Sequence, residues 1–319
     1  MSWSADAVRV QVPATSANLG PGFDALGLAL TLHDEVEARI RPAGLSIEIT
    51  GEGADLAGAG EEHLVLRAMR AAFAVTGGQP PGIALRCLNR IPHGRGLGSS
   101  AAAIVAGVLA ARALSGPGAG ALPDRAVLAL ASEIEGHPDN VAACLAGGLT
   151  IAWMTPDGPR MIGLQPLASV TPVVCVAPAP VRTDVVRGLL PDLVPHLDAA
   201  ANAGRSALLT AALTQPGTGR EVLLAATRDW LHQDYRASAM PGTHALVCRL
   251  RDAGLPAVVS GAGPSVLALL GGRDGPDYLQ DLDKLGSIAR ETGISWLVSS
   301  LDVEQQGARV LHPVSPPGC

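Results

Sequence analysis

Chemistry in this chain of 319 residues is concentrated in three glycine-rich stretches. The central one runs Pro92-His93-Gly94-Arg95-Gly96-Leu97-Gly98-Ser99-Ser100-Ala101-Ala102. Glycine adopts positive φ and lets the backbone approach a ligand closely, while a helix opening at Ser99 would present free amides and the positive end of its dipole. Together these make an anion site. Three alternating glycines before a double serine exceed what a plain strand-to-helix turn capped by Ser99 needs, so a phosphate is the expected ligand. Other motifs fail on residues. Lys284 is the only lysine, which removes a Walker loop. Ser99 stands where a dinucleotide fingerprint needs its last glycine. No GxSxG elbow, HExxH pair or His/Cys cluster with zinc spacing is present.

The first stretch, PATSANLGPGFDALG, sets Asn18 and Asp24 among Gly20, Gly22 and Gly27. Asn and Asp in loops are usually turn-makers. The third, SGAGPS from Ser260 to Ser265, carries Gly261 and Gly263 and reads as a tight β turn or a backbone wall near a ligand. Neither is specific alone.

The elements that must position these loops follow from periodicity. Val8 to Pro13 alternates as a strand leading into the first loop, and Val36 to Ile40 with Leu45 to Thr50 suits a hairpin. Helical spacing covers Glu62 to Val75, and a strand over Ile83 to Leu88 feeds the central loop. SSAAAIVAGVLAARAL is apolar on nearly every face and predicts a buried helix. Asp124 is the expected N-cap of the next helix, Gly136 ends it, Asp139-Asn140 opens another, and LTIAWM is a strand. The turn-rich segment Thr155 to Pro172 marks the expected boundary between domains 1–165 and 166–319. Beyond it come the strand VVCVAP, helices near Asp184 to Leu190, Ala199 to Leu213, Arg220 to His232 and Thr243 to Ala253, a hairpin over AVVSGAGPSVLALL, a further helix and a last strand, ISWLVSS. The tail PVSPPGC is expected to fray. Strands interleaved with helices in both halves indicate an α/β or α+β protein.

Composition narrows the partners. Net charge is −6 with no basic run, which argues against nucleic acid and anionic membrane. Apolar residues make up 48% and aromatics 3%, so packing must come from Ala, Val and Leu. The start of the chain lacks a signal-peptide pattern, and the longest apolar stretch, Ala101 to Ala111, is too short to span a bilayer. Cys87, Cys144, Cys175, Cys248 and Cys319 form no CxxC pair and read as reduced thiols of a cytoplasmic protein.

Taken in order, PxxSxNLGxGFDxLG, PxxxGLGSSAA and SGAGPS resemble the GHMP small-molecule kinase superfamily over essentially the whole chain. The EGHPDNVAACLAGG segment (Glu135 to Gly148), RTDVVRGLLP (Arg182 to Pro191) and Asp234-Tyr235-Arg236 are similar within it to the homoserine kinase family. The resemblance implies an α+β, two-domain GHMP-kinase fold, with an N-terminal ATP-binding α/β domain and a C-terminal ferredoxin-like α+β domain. It implies ATP and Mg²⁺ as cofactors and transfer of the γ-phosphate to the side-chain hydroxyl of L-homoserine, on the route to threonine.

Carried onto matching positions, the resemblance has Pro92 to Ala102 cradle the triphosphate. Ser100 (Ser99 as the alternative) and Glu133 hold Mg²⁺. Asn18, Asp24, His137 and Asp139 line the amino and hydroxyl side of the acceptor, and Arg187 and Arg236 take its carboxylate. Many relatives pair a catalytic aspartate with a lysine; here Asn140 stands at the aspartate position, so attack without a strong dedicated base is expected. Two departures stand out. His63 replaces the asparagine often found at the adenine side, and the stretch from Glu133 to His137 is shorter than in many relatives. Two other readings compete: a GHMP kinase for mevalonate or a related alcohol, which the acidic Asp24/Asp139 pocket disfavours, and a non-catalytic nucleotide-binding regulator, which the intact serine pair disfavours. A homodimer is one arrangement left open.

Overall fold

The computed structural model describes residues 3–4, 6–116, 120 and 122–311, without the side chains of 56 and 57. The tail PVSPPGC, expected to fray, lies outside the described residues, as does Cys319.

Two sheets organise the molecule. The first contains β1 (Val8–Ala17), β2 (Leu26–Arg41), β3 (Gly44–Gly51), β4 (Gly82–Asn89), β5 (Leu149–Thr155), β6 (Gly158–Leu164) and β11 (Arg309–Leu311). Its order is β11-β1-β2-β4-β3, with β5 on the far end of β2 and β6 on β5. Alternating burial along Val8 to Val12 gives way to a run of buried residues, Pro13 to Ala17, so β1 runs further into the first glycine-rich stretch than alternation predicts. The register against β2 shifts between Pro13 and Ala14, where proline has no N–H to donate.

The expected hairpin of β2 and β3 does not form. β4 lies between them, antiparallel to β2 and parallel to β3. Alternation marks a strand but not its neighbour. The turn-rich segment also hides a strand, since β6 pairs along all of β5.

Against this sheet pack α1 (Leu64–Thr76), α2 (Ser99–Leu114), α3 (Asp124–Glu135) and α4 (Asp139–Ala146). Helix α2 matches the expected segment, and from Ala101 to Ala111 only Ala103 is not fully buried. Asp124 is the first residue of α3 rather than its N-cap, which is Pro123, and its carboxylate pairs with Arg112. Gly136 ends that helix in the left-handed region, φ 93°.

The second sheet has the order β10-β7-β9-β8, all antiparallel, from β7 (Val170–Val176), β8 (Ala257–Val259), β9 (Val266–Gly271) and β10 (Leu297–Ser300). With α8 (Pro241–Asp252) before β8 and α9 (Tyr278–Glu291) before β10, this is a ferredoxin-like arrangement. Three further helices, α5 (Thr183–Arg187), α6 (His196–Thr214) and α7 (Arg220–Ala226), lie between β7 and α8. Helix α7 stops well short of His232, because the Asp229 carboxylate takes the amides of Leu231, His232 and Gln233 and folds them into a turn. Val174, Val176, Leu209, Leu213, Val258 and Leu267 belong to the same apolar core as β1, α1 and α2. One face of the second sheet therefore shares an interior with the first, its other face packs a separate apolar cluster with α8 and α9, and β11 returns the chain to the first sheet. Among the described residues no helix is long and apolar enough to cross a membrane.

Candidate active site

The central loop leaves β4 and enters α2 with Gly94, Gly96 and Gly98 at φ 64°, 70° and 69°. These three left-handed turns fold the backbone into a cup. A Cβ on Gly96 would lie 2.2 Å from the Ser260 carbonyl oxygen, and one on Gly98 would lie 2.0 Å from Thr15 Oγ1. The N-cap of α2 is Gly98, with no side-chain hydrogen bond to the first turn. Ser99 therefore does not cap the helix, and the first amides remain available to an anion.

The two flanking stretches brace this cup. Thr15 N donates to Leu97 O at 3.0 Å. Ser260 Oγ donates to Gly96 O at 2.6 Å, and Gly261 N donates to Ala17 O at 3.1 Å. SGAGPS is thus both the tight turn between β8 and β9 and a backbone wall. Arg95, expected among the phosphate ligands, is turned away. Its guanidinium donates to the carbonyls of Ala177, His93 and Pro178 at 2.7 to 2.8 Å, fastening the loop to the end of β7.

A cavity of about 110 Å³ opens beside the cup. Asn18, His137, Asp139, Arg187 and Arg236 line it, as do Asn140, Ser99, Ser100 and Gly261. Six separate segments of the chain thus meet at one cavity. Gly263 sits behind the wall, where a Cβ would meet the Met240 sulfur. Asn18 bridges two stretches, donating from Nδ2 to Gly261 O at 2.8 Å and accepting from Asp24 N at 2.9 Å. Asn18, Leu19 and Asp24 are the only described non-glycine residues at positive φ, so the backbone strain of the chain is concentrated in this loop.

Asp24 is not a lining residue. It forms a two-pronged ion pair with Arg187, at 2.5 and 3.1 Å. Two side chains expected to take opposite ends of one amino acid therefore neutralise each other. Phe23, not expected as a site residue, carries both cavity arginines, with Arg187 5.6 Å and Arg236 5.3 Å from its ring centre. Arg236 is 1% exposed, and its Nε has no partner. Burial, reinforced by the charge of Arg187, lowers its pKa to about 10.

The carboxylate beside Ser100 is Glu135 rather than Glu133. Glu133 points outward on α3, exposed, whereas Ser100 Oγ donates to Glu135, which lines the cavity. Glu135 is the last residue of α3, about 200° round the helix from Glu133, so it faces Ser100 on α2 while Glu133 faces outward. Burial raises its pKa against the opposing effects of the Ser100 hydrogen bond and the charge of His137. His137 Nδ1 lies 2.5 Å from Asp139 Oδ1, which also accepts from Asn140 N. Burial would lower the His137 pKa, but the Asp139 hydrogen bond and charge, with Glu135, outweigh it and raise the value. Asn140 Oδ1 accepts from Thr15 Oγ1 at 2.8 Å, and among the described residues its Nδ2 has no protein acceptor. Lys284, on α9, donates to Ala253 O and takes no part.

A second cavity of about 300 Å³ continues past Ser99 and Ser100, walled by Val12, Val36, Leu64, Val65 and Ala106. His63 lines it with Nδ1 buried and unpartnered, and burial followed by the charge of His93 lowers its pKa.

Three residues escaped the sequence reading: Glu135, Phe23 and His232, the last stacked on the Phe23 ring. Glu135 sits two residues from Glu133, and the short segment before His137 is the signal in the sequence that points to it. Phe23 lies within the first motif, and His232 within an apparently helical stretch.

Residues 63–148 match the family described as GHMP kinases N terminal domain. The chain is 55% identical over 310 residues to the homoserine kinase of Streptomyces coelicolor, covering 97% of this chain and 96% of that one. It is likewise 55% identical over 310 residues to the homoserine kinase of Streptomyces avermitilis, covering 97% of each. Among solved structures it is similar to homoserine kinase from Cytophaga hutchinsonii, with TM-score 0.80, 28% identity and coverage of 98% and 99%.

Proposed function

The chain belongs to the homoserine kinases of the GHMP kinase family, and from that premise we propose how its residues carry the transfer of the γ-phosphoryl group of ATP to the side-chain hydroxyl of L-homoserine. The observation that carries the reading is the meeting, in one cavity, of an uncapped helix N-terminus with two arginines, carboxylates and an asparagine. The amides at the start of α2 and of the loop hold the triphosphate. The apolar cavity behind Ser100 takes the adenine, and the unpartnered Nδ1 of neutral His63 meets its edge.

L-Homoserine enters by ion exchange. Its carboxylate replaces Asp24 on Arg187 and fills the vacant hydrogen-bonding capacity of Arg236. Its ammonium group replaces the Arg187 guanidinium beside Asp24 and reaches the oxygens of Asn18 and Asp139. The hydroxyl is then held toward the cup. The hydroxyl oxygen forms the new bond to the γ-phosphorus as the bond to the bridging oxygen of ADP breaks, and the hydroxyl proton passes to a phosphoryl oxygen. Asn140 assists as a donor through Nδ2. Its carbonyl is engaged by Thr15 and an amide accepts no full proton, so no residue acts as a strong base. Orientation and preorganised amides supply the acceleration.

Ser100 and Glu135 offer one hydroxyl and one carboxylate, and among the described residues no group of three His, Cys, Asp or Glu could hold a metal. So sparse and hard a donor set fits Mg²⁺, which keeps its remaining positions for water and phosphate oxygens. When bound there, Mg²⁺ offsets the negative charge of the phosphoryl oxygens. We place the enzyme in the cytoplasm, in keeping with the free thiols of Cys87, Cys144, Cys175 and Cys248.

The test is an ADP-release assay with L-homoserine, L-serine, L-threonine and mevalonate side by side. Turnover is expected with L-homoserine well above the others; turnover of mevalonate without L-homoserine would overturn the reading.

A further inference from the structure

His232 lies in the turn after α7 with its side chain 0% exposed. Each ring nitrogen faces a group whose role is fixed. Nε2 is 2.8 Å from the Gly20 carbonyl oxygen, which can only accept. Nδ1 is 3.1 Å from Arg236 NH1, which can only donate. One state satisfies both: a neutral imidazole with its proton on Nε2 and its lone pair on Nδ1. Burial pushes the His232 pKa down, against the pull of Asp229 3.7 Å away, whose oxygens are already taken by backbone amides.

That hydrogen bond is the only one Arg236 makes through its side chain among the described residues. A long side chain with a buried, unpartnered Nε and no carboxylate partner has little else to fix its guanidinium. His232 also stacks on Phe23, with ring centres 5.2 Å apart, supporting the ring on which both cavity arginines rest. The first glycine-rich loop, Phe23 and Arg236 are thus joined through one imidazole.

We propose that His232 is a positioning residue for acceptor specificity: as the neutral Nε2–H tautomer it ties Arg236 to the Gly20 carbonyl and aims the guanidinium at the carboxylate of the amino-acid substrate. The inference rests on the assignment of Arg236 to that carboxylate.

Two substitutions divide the ring's functions. An asparagine amide oxygen reaches about where Nδ1 sits and keeps an acceptor for Arg236. A glutamine amide nitrogen reaches about where Nε2 sits and keeps the donor to Gly20. His232→Gln is expected to raise KM for L-homoserine ~10-fold or more, the scale of one hydrogen bond to a charged group. His232→Asn should raise it no more than about 3-fold, and KM for ATP should stay within about 2-fold in both. In an Arg236→Lys background the His232→Gln effect should vanish. Unchanged KM for L-homoserine in folded His232→Gln, equal losses in both variants, or persistence of the effect beside Arg236→Lys would overturn the proposal. Wild-type protein with no L-homoserine turnover would instead sink the underlying function. If His232→Gln does not fold, long-range ¹H–¹⁵N NMR of the wild-type protein decides: an Nε2–H ring supports the assignment, and an Nδ1–H or doubly protonated ring refutes it.

Discussion

The two sides of the proposed active site are built from different materials. The phosphate side is backbone: three left-handed glycines and an uncapped helix start, braced by carbonyls and hydroxyls of the flanking loops. The acceptor side is side chain, with Asp24, His137, Asp139, Arg187 and Arg236 brought from separate segments and partly neutralising one another. The difference teaches how each can fail. A backbone site fails when a single added atom distorts it, whereas a network of charges fails by degrees, as partners lose alignment.

The largest effect should come from Gly96→Ala. The new methyl would meet Ser260 O at 2.2 Å and Gly263 O at 2.7 Å, both backbone atoms, at φ 70°. Left-handed strain of ~1–3 kcal/mol adds to that clash. Denaturant unfolding should show a loss of at least that size, with ATP binding abolished. Retained nanomolar-to-micromolar nucleotide binding would mean that the cup is looser than its contacts indicate.

Next comes the carboxylate beside Ser100. Glu135→Gln should lower kcat/KM by ~10²-fold or more, and Glu133→Gln should leave it within about 2-fold. Stability should move differently from activity. Burial raises the Glu135 pKa, so the folded state disfavours its ionised form and carries that cost at pH values above the raised value. At neutral pH, Glu135→Gln should therefore melt no lower than the wild type. A reversal of the two glutamates in the kinetic assay would return the metal role to Glu133.

Arg187→Lys tests the charge network more gently. Lysine keeps the charge but loses the fork that grips Asp24 at two points. KM for L-homoserine should rise by roughly 10- to 100-fold while KM for ATP holds, on the scale of hydrogen bonds to charged groups. Equal rises in both constants would mean that α5 also carries part of the nucleotide site.

The same division explains what could be read in advance. A site made of backbone announces itself in contiguous sequence, because the left-handed positions of the cup are glycines; the loop and the bounds of α2 could be read in advance, though not that Arg95 turns away from the cup. Helix α2 was equally plain because no face of it is polar. A site made of side chains gives no local sign. Arg187 alone reads as a surface residue and Asp139 as a cap, and only the resemblance collected them. Glu133 and Glu135 lie about 200° apart on α3, and which of those two faces meets α2 is decided by how the helices pack, not by local sequence. His232 was hidden because Asp229 ends a helix that periodicity would continue. The β2–β3 pairing failed for the same reason, since strand partners are set by the sheet as a whole.

The subtlest expected effect separates two histidines by sign. His137 is raised because the Asp139 hydrogen bond and charge outweigh its burial; His232 is lowered because burial outweighs Asp229. A raised histidine contributes stability that is fully present below the ordinary value of about 6.5 and is lost as pH climbs through the raised folded value. A lowered one works the other way: the folded state holds it neutral, so its contribution is present above about 6.5 and is lost as pH falls toward the folded value. Urea unfolding across this range should therefore show the wild-type advantage over His137→Gln shrinking as pH rises. The wild-type advantage over His232→Asn should instead grow with pH. Parallel trends would mean that the two rings share one protonation state, which would break the contrast between a charged pair beside the phosphate cup and a neutral strut beneath the acceptor arginine.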